Sequence, residues 1–114
     1  MIIMKKQYKV KITKYALTQM EEIKDYIANE LLAPQTAYNL LLEMKKTAAS
    51  LESMPERNPL VDVEKWREQG IRKTMVKNFI MYYWTDEEYQ TVHITAVAYG
   101  KRNQLTELGK MELE

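Results

Sequence analysis

Residues 70–102 read GIRKTMVKNFIMYYWTDEEYQTVHITAVAYGKR, and this stretch decides the fold. It holds three runs rich in β-branched and aromatic residues, separated by Lys77-Asn78 and by Thr85–Glu88. Because such short connections join antiparallel neighbours, we predict a three-stranded meander. Every residue of the middle run, Phe79–Trp84, is apolar or aromatic, which places this strand inside the sheet.

The residues before the meander predict one more strand and two helices. Tyr8–Thr13 alternates apolar and polar side chains, the pattern of a half-buried strand. From Tyr15 to Leu31 the apolar residues recur at helical spacing, with Thr13 as the N-cap. Pro34 begins a second helix, which ends at Leu51 before Met54-Pro55.

Two helices with a short connection lie antiparallel and cover one face of a sheet. A long connection over residues 55–69 holds a helical turn near Val63–Gln69, and a short helix follows near Gln104–Glu114. The prediction is a single α+β domain over residues 1–114: an N-terminal strand, an antiparallel helical hairpin and a three-stranded antiparallel meander. We expect the second sheet face to stay open, with exposed aromatic side chains that a partner would cover.

The last strand of the meander alternates throughout. Its two predicted faces are Val92, Ile94, Ala96 and Ala98 on one side, and His93, Thr95, Val97 and Tyr99 on the other. The alanines are small, so their face would let a helix pack closely.

Composition narrows the class of protein. The chain is 46% hydrophobic and 29% charged, as globular domains are, and no apolar run approaches the roughly 20 residues of a membrane span. The absence of cysteine excludes disulfides and thiolate metal sites. We expect a cytoplasmic protein without membrane contact, cofactor or metal. Its net charge of +1 hides basic segments at residues 1–14 and 65–81, which would attract phosphates where they converge.

An ordered set of short motifs over residues 8–102 resembles the RelE/ParE superfamily, the toxins of bacterial type II toxin–antitoxin pairs. The matching pieces are Tyr8–Thr13 with Ala16, Ile23–Ile27, Pro34–Leu51, Met54-Pro55 with Pro59-Leu60, Gly70–Arg72, Asn78–Tyr83 and Val97–Arg102. The resemblance implies a microRNase-like fold and a cognate antitoxin that wraps and neutralises the toxin in a hetero-oligomer.

The resemblance also implies one of two activities. RelE-like members cut messenger RNA in the ribosomal A site, whereas ParE-like members inhibit DNA gyrase without nuclease residues. Arg72 and Arg102 match positions that bind phosphate or stabilise the transition state, with Lys101 and Tyr99 as possible assistants. Lys73 and Lys77, with Arg102, are candidates for contact with the target. We expect Arg72 and Arg102 to reach one shared surface.

A general acid and base are harder to identify. Nucleases of this group that use a C-terminal tyrosine place it about six residues after the arginine, where this chain has Leu108. His93, the single histidine, lies mid-strand, so a structural role is favoured over proton transfer; Tyr99 and Glu107 are further candidates. These features favour noncatalytic inhibition of gyrase. The alternatives are a ribosome-dependent, metal-independent endoribonuclease and a protein- or RNA-binding module without toxicity.

Overall fold

The computed structural model describes residues 7–102 and 104–114. The elements, in chain order, are β1 (Lys9–Ile12), α1 (Lys14–Asp25), α2 (Pro34–Ser50), α3 (Glu64–Glu68), β2 (Arg72–Val76), β3 (Phe79–Asp86), β4 (Thr91–Tyr99) and α4 (Gln104–Lys110). A π-helical turn, Tyr26–Glu30, continues α1, and a 3-10 turn, Pro55–Arg57, follows α2. The predicted order of helices and strands is confirmed.

The four strands form one mixed sheet in the order β1-β4-β3-β2. β1 pairs with β4 in parallel, while β2, β3 and β4 form the predicted antiparallel meander. β3 lies between β4 and β2, which agrees with its apolar side chains on both faces. No helix within the described residues is both long and apolar enough to cross a membrane.

The helical hairpin covers one face of the sheet, as expected. Thr13 caps α1, because its Oγ1 accepts a hydrogen bond of 3.1 Å from the Ala16 N–H. Residues from both helices and three strands form the core between hairpin and sheet: Ala16, Met20, Leu40, Met44, Ala48, Leu51, Val76, Met81, Tyr83, Val92, Ile94 and Val97. We refer to this side of the sheet as the hairpin face.

The second face is not open, so the expected bare aromatic surface was wrong. Leu108 and Met111 pack there with Val61 and Ile71 against Tyr82, whose side chain is buried. We call this side the α4 face. The sequence did not reveal its cover, because α4 has only seven residues and contributes too few apolar side chains to show a helical period.

A β-bulge divides β4 into two parts. Tyr82 lies opposite Ala96 and Tyr83 lies opposite Ile94, so Thr95 has no partner on β3. Thr95 is fully buried, and its hydroxyl lies 3.4 Å from the carbonyl oxygen of Tyr82.

The bulge reverses the alternation of every residue that follows it. Ala96 therefore packs on the α4 face, while Val97 joins Val92 and Ile94 in the hairpin core. The predicted face assignment was wrong from residue 96 onward. As one result, Tyr99 turns toward α1.

Candidate functional site

An open groove of about 770 Å³ lies between α1, its π-helical turn and the adjoining ends of β3 and β4. Tyr99 enters it because of the bulge, and its ring lies 5.8 Å from that of Phe79, its partner on β3. The lining residues are Gln19, Glu22, Ile23, Tyr26, Ile27, Leu31, Asn78, Phe79, Val97, Ala98, Tyr99, Arg102 and Glu107.

A tight turn after β4 brings Arg102 to this groove. The Gly100 N–H donates to the Asn78 carbonyl at 2.8 Å, and the Arg102 N–H donates to the Tyr99 carbonyl at 3.0 Å. A Cβ on Gly100 would lie 3.1 Å from the Asn78 oxygen, so glycine permits this close approach. The β2–β3 turn, with Lys77, therefore lies beside Lys101 and Arg102.

Arg102 is held at the rim by an acid from α4. Its Nη1 lies 3.6 Å from Glu107 Oε1; the Arg102 side chain is 66% exposed, whereas that of Glu107 is 8% exposed. Burial, followed by the negative charges of Glu107 and Glu22, raises the pKa of the nearby Tyr15 hydroxyl. The groove thus combines a positioned, accessible cation with the exposed Tyr99.

Arg72 does not reach this groove. It lies opposite Tyr83, four residue pairs from the Phe79–Tyr99 pair, which is about 13 Å along the strands. Its Nη1 donates to the carbonyl oxygens of Glu56 at 3.2 Å and Asn58 at 2.7 Å. The expected common surface for Arg72 and Arg102 was therefore wrong.

The connectivity of the meander explains this separation. β2 and β4 run in the same direction because β3 reverses between them. The start of β2 consequently lies beside the middle of β3, opposite Tyr83, whereas the end of β4 lies beside the start of β3, opposite Phe79. Arg72 begins β2 and Arg102 follows β4, so the strand register separates the backbone positions of the two arginines.

The remaining candidates also divide between the two ends. Lys73 pairs with Tyr82, which directs it to the α4 face, away from the groove. His93 lies near the start of β4, six positions before Tyr99, and its ring stacks on Trp84. Leu108, six residues after Arg102, is fully buried. The structure thus brings Tyr99, Arg102 and Glu107 together in the groove, with Lys77 and Lys101 in the adjoining turns.

Gln19 is a groove residue that the sequence analysis did not assign a role. β1 ends at Ile12, opposite Ile94, and within residues 7–102 and 104–114 no strand pairs with the outer edge of β4 beyond that point. Gln19 Oε1 accepts a 2.7 Å hydrogen bond from the Val97 N–H on this edge. Its position among the apolar residues of α1 was an available signal, since a polar side chain on a buried stripe needs a partner.

Tyr26 and Leu31 were also missed, and they form an apolar rim around the groove. Their side chains are 57% and 56% exposed, beside Tyr99 at 40%. Leu31 falls on the apolar stripe predicted for the first helix, where a core position was expected. Tyr26 begins the π-helical turn and Leu31 follows it, and none of the residues in that turn is buried.

Comparison with known proteins gives a family match and similar folds. The family model for the ParE toxin of the type II toxin–antitoxin system parDE matches residues 10–104. A chain from a chromosomal ParDE toxin–antitoxin system of P. aeruginosa is 14% identical, with a TM-score of 0.67, covering 82% of this chain and 96% of its own. A chain of the toxin–antitoxin complex RelBE2 from Mycobacterium tuberculosis is 20% identical, with a TM-score of 0.60, covering 82% and 98% respectively. No curated protein sequence matches the chain.

Proposed function

The chain belongs to the ParE toxin family of type II toxin–antitoxin systems, and from this premise we propose that it inhibits DNA gyrase by binding, without chemistry of its own. The surface we assign to gyrase is the groove around Tyr99 and Arg102, with Lys77 and Lys101 beside it. The proposed setting is the bacterial cytoplasm, where the target is found.

The separation of Arg72 from Arg102 carries this proposal. Metal-independent RNA cleavage needs a base, an acid and cations that stabilise the charged phosphorane at one point. Arg72 donates to two backbone carbonyls about four residue pairs away along the strands, and His93 lies near the start of β4, also away from the groove. A single exposed arginine beside aromatic and apolar side chains suits recognition of a protein surface.

We propose that the cognate antitoxin covers the same groove. Tyr26, Leu31 and Tyr99 expose apolar surface around it, and burial of such surface drives association. A small open reading frame that overlaps or adjoins the gene should encode the antitoxin.

The decisive experiment compares Arg102→Gln with Glu107→Gln. Both variants break the same ion pair, but only the first removes the cation from the groove. We expect Arg102→Gln to lose inhibition of gyrase supercoiling in vitro and growth inhibition on induction. Glu107→Gln should keep both, while urea unfolding records any loss of stability that the two share. Equal toxicity of Arg102→Gln and the parent protein would remove the groove from the proposal.

A ribosome-dependent endoribonuclease is the second candidate, favoured by the presence of Tyr99, Arg102 and two carboxylates, Glu22 and Glu107, in one groove. It predicts codon-phased cuts in translated messages that Arg102→Gln abolishes. Gyrase inhibition instead predicts a DNA damage response with transcripts intact. If strong expression leaves growth unchanged while the antitoxin still binds, the binding module without toxicity is the better description.

A further inference from the structure

A second cavity, of about 380 Å³, lies at the end of the sheet opposite the groove, beside the starts of β4 and α1. Three side chains that ligate metals meet there: Asp86 from β3, His93 from β4 and Glu114 from the C-terminal segment. One ligand atom from each lies within 4.8 Å of the others. They come from separate elements at irregular intervals, which is why no sequence motif reveals them.

Trp84 positions two of these three residues. Its ring stacks on that of His93, with 4.7 Å between centroids and 16° between planes. Its Nε1 donates a 2.6 Å hydrogen bond to the carbonyl oxygen of Leu113, the residue before Glu114. Asp86 follows Trp84 by two positions and so projects on the same face of β3. The cluster is therefore built on fixed backbone and a fixed ring.

His93 has no hydrogen-bond partner among the described residues, although it is only 8% exposed and lines the cavity. A polar side chain buried to this degree normally pairs with protein, water or a ligand. Asp86 uses Oδ1 to accept from the Tyr89 N–H at 3.2 Å, which leaves Oδ2 for another interaction. The imidazole and the two carboxylates thus have coordinating capacity that the protein does not use.

The ligand set indicates the class of ion. One imidazole nitrogen with two carboxylate oxygens suits a divalent first-row transition ion such as Zn²⁺, whereas Ca²⁺ and Mg²⁺ prefer oxygen alone. Tetrahedral coordination by zinc places ligand atoms about 3.4 Å apart. The exposed Glu114 side chain can rotate to close the remaining distance. A fourth position stays open to water.

Two cations limit the affinity of this cluster. Lys11, the neighbour of His93 on β1, and Lys14 at the start of α1 both line the cavity. Their charges oppose a divalent cation, although both side chains are exposed and can extend into solvent. Without the ion, the charges of the two carboxylates and of the two ammonium groups around the cavity therefore cancel.

We propose that Asp86, His93 and Glu114 bind one divalent transition-metal ion, which holds the C-terminal segment against β3 and β4. This inference is independent of the groove and of the toxic activity. The ion would raise thermal stability by binding the folded state alone.

The test is titration of the purified full chain with Zn²⁺ by calorimetry. We expect saturable binding of one ion, weakened at least about tenfold in Asp86→Asn and in Glu114→Gln. Glu112→Gln, which removes an exposed acid from the same segment, is the matched control and should bind as the parent does. Lys11→Gln should bind more tightly, because it removes an opposing charge.

Fluorescence supplies a second measurement that reports the location of the ion. Cu²⁺ bound to His93 lies close enough to Trp84 to quench its emission, and a Trp66→Phe background isolates that signal. Two results together would support the site. The Glu114→Gln substitution should reduce the Cu²⁺ quenching, and Zn²⁺ should raise Tm in a way that a chelator reverses. Absence of saturable binding, or equal losses in Glu112→Gln and Glu114→Gln, would overturn it.

Discussion

Arg72 and Arg102 lie apart along the strands of the meander; Arg72 donates to loop carbonyls and Arg102 pairs with Glu107. The two arginines therefore have different roles in the folded chain. Arg72 binds the connection that follows α2 and so holds it against the start of β2. Arg102 presents its charge to solvent. Substitutions at these two positions should consequently separate stability from recognition of the target.

Arg72→Ala should lower the free energy of unfolding by about 1–3 kcal/mol, because the carbonyl oxygens of Glu56 and Asn58 lose a charged donor. Urea unfolding measures the change. Arg67→Ala is the control, since the exposed Arg67 makes only a 3.4 Å contact to the carbonyl of Asp62. If Arg72→Ala is as stable as the parent protein but has lost toxicity, Arg72 contacts the target after all.

Thr13→Ala should cost about 1 kcal/mol, because it removes the oxygen that accepts from the Ala16 N–H at the start of α1. Thr18→Ala is the matched control. The Thr18 hydroxyl donates only to the Lys14 carbonyl on the exposed side of the same helix, so its loss should change stability by less than about 0.5 kcal/mol. Equal effects in the two variants would show that Thr13 does not act as a cap.

Gly70→Ala should destabilise the chain by about 1 kcal/mol, because Gly70 ends α3 with φ of +81°, a conformation that L side chains avoid. Space is not the cause, since no heavy atom lies within 4 Å of a Cβ built there. Gly109→Ala, inside α4 and equally unobstructed, should instead stabilise by up to about 1 kcal/mol. Thermal unfolding of the two variants should shift Tm in opposite directions.

The free energy of unfolding should decrease as pH rises in the alkaline range, because the folded chain disfavours ionisation of Tyr8. Burial, with the nearby carboxylates of Glu87 and Glu56, raises the pKa of Tyr8 from 10.0 to about 12. The stabilising contribution of this group is complete below the unfolded pKa and is lost as pH rises through the folded one. Between these values the folded chain retains about one more proton than the unfolded chain at this position.

Tyr8→Phe should therefore reduce the pH dependence of unfolding in that interval by about one proton. Burial raises the pKa of Tyr15, Tyr82 and Tyr83 as well, so part of the slope remains. Tyr89→Phe, at a side chain 72% exposed, serves as the control and should leave the slope unchanged. If Tyr8→Phe and Tyr89→Phe behave alike, the Tyr8 hydroxyl is not held as the structure places it.

Much of the architecture followed from local patterns. Period-2 alternation in Tyr8–Thr13, helical spacing from Tyr15 and from Pro34, and the two turns of residues 70–102 identified the hairpin and the meander. These signals are strong because a half-buried strand or helix must repeat its apolar residues at its own period. The separation of Arg72 from Arg102 also follows from the strand directions of a three-stranded meander, in which the first and third strands run the same way. We nevertheless expected the two arginines to converge.

Other features of the structure form only where side chains that are distant in sequence come into contact, so local patterns did not predict them. The cover of the α4 face comes from Leu108 and Met111, too few to show a period, and the Asp86–His93–Glu114 cluster forms only when three elements meet. The set of side chains that line the groove likewise depends on the tertiary structure. It depends on which way Tyr99 points, and this was not readable from an alternating strand.

What the sequence determined by itself is the order of elements and the pairing of β2, β3 and β4, because periodicity and turn residues act locally. What only the tertiary structure decided is the direction of the side chains after Thr95. A single unpaired residue reverses every later face, and an alternating strand gives no local sign of it. Packing on both sides of the sheet selects the bulge, since it places Val97 in the hairpin core and Ala96 beneath α4.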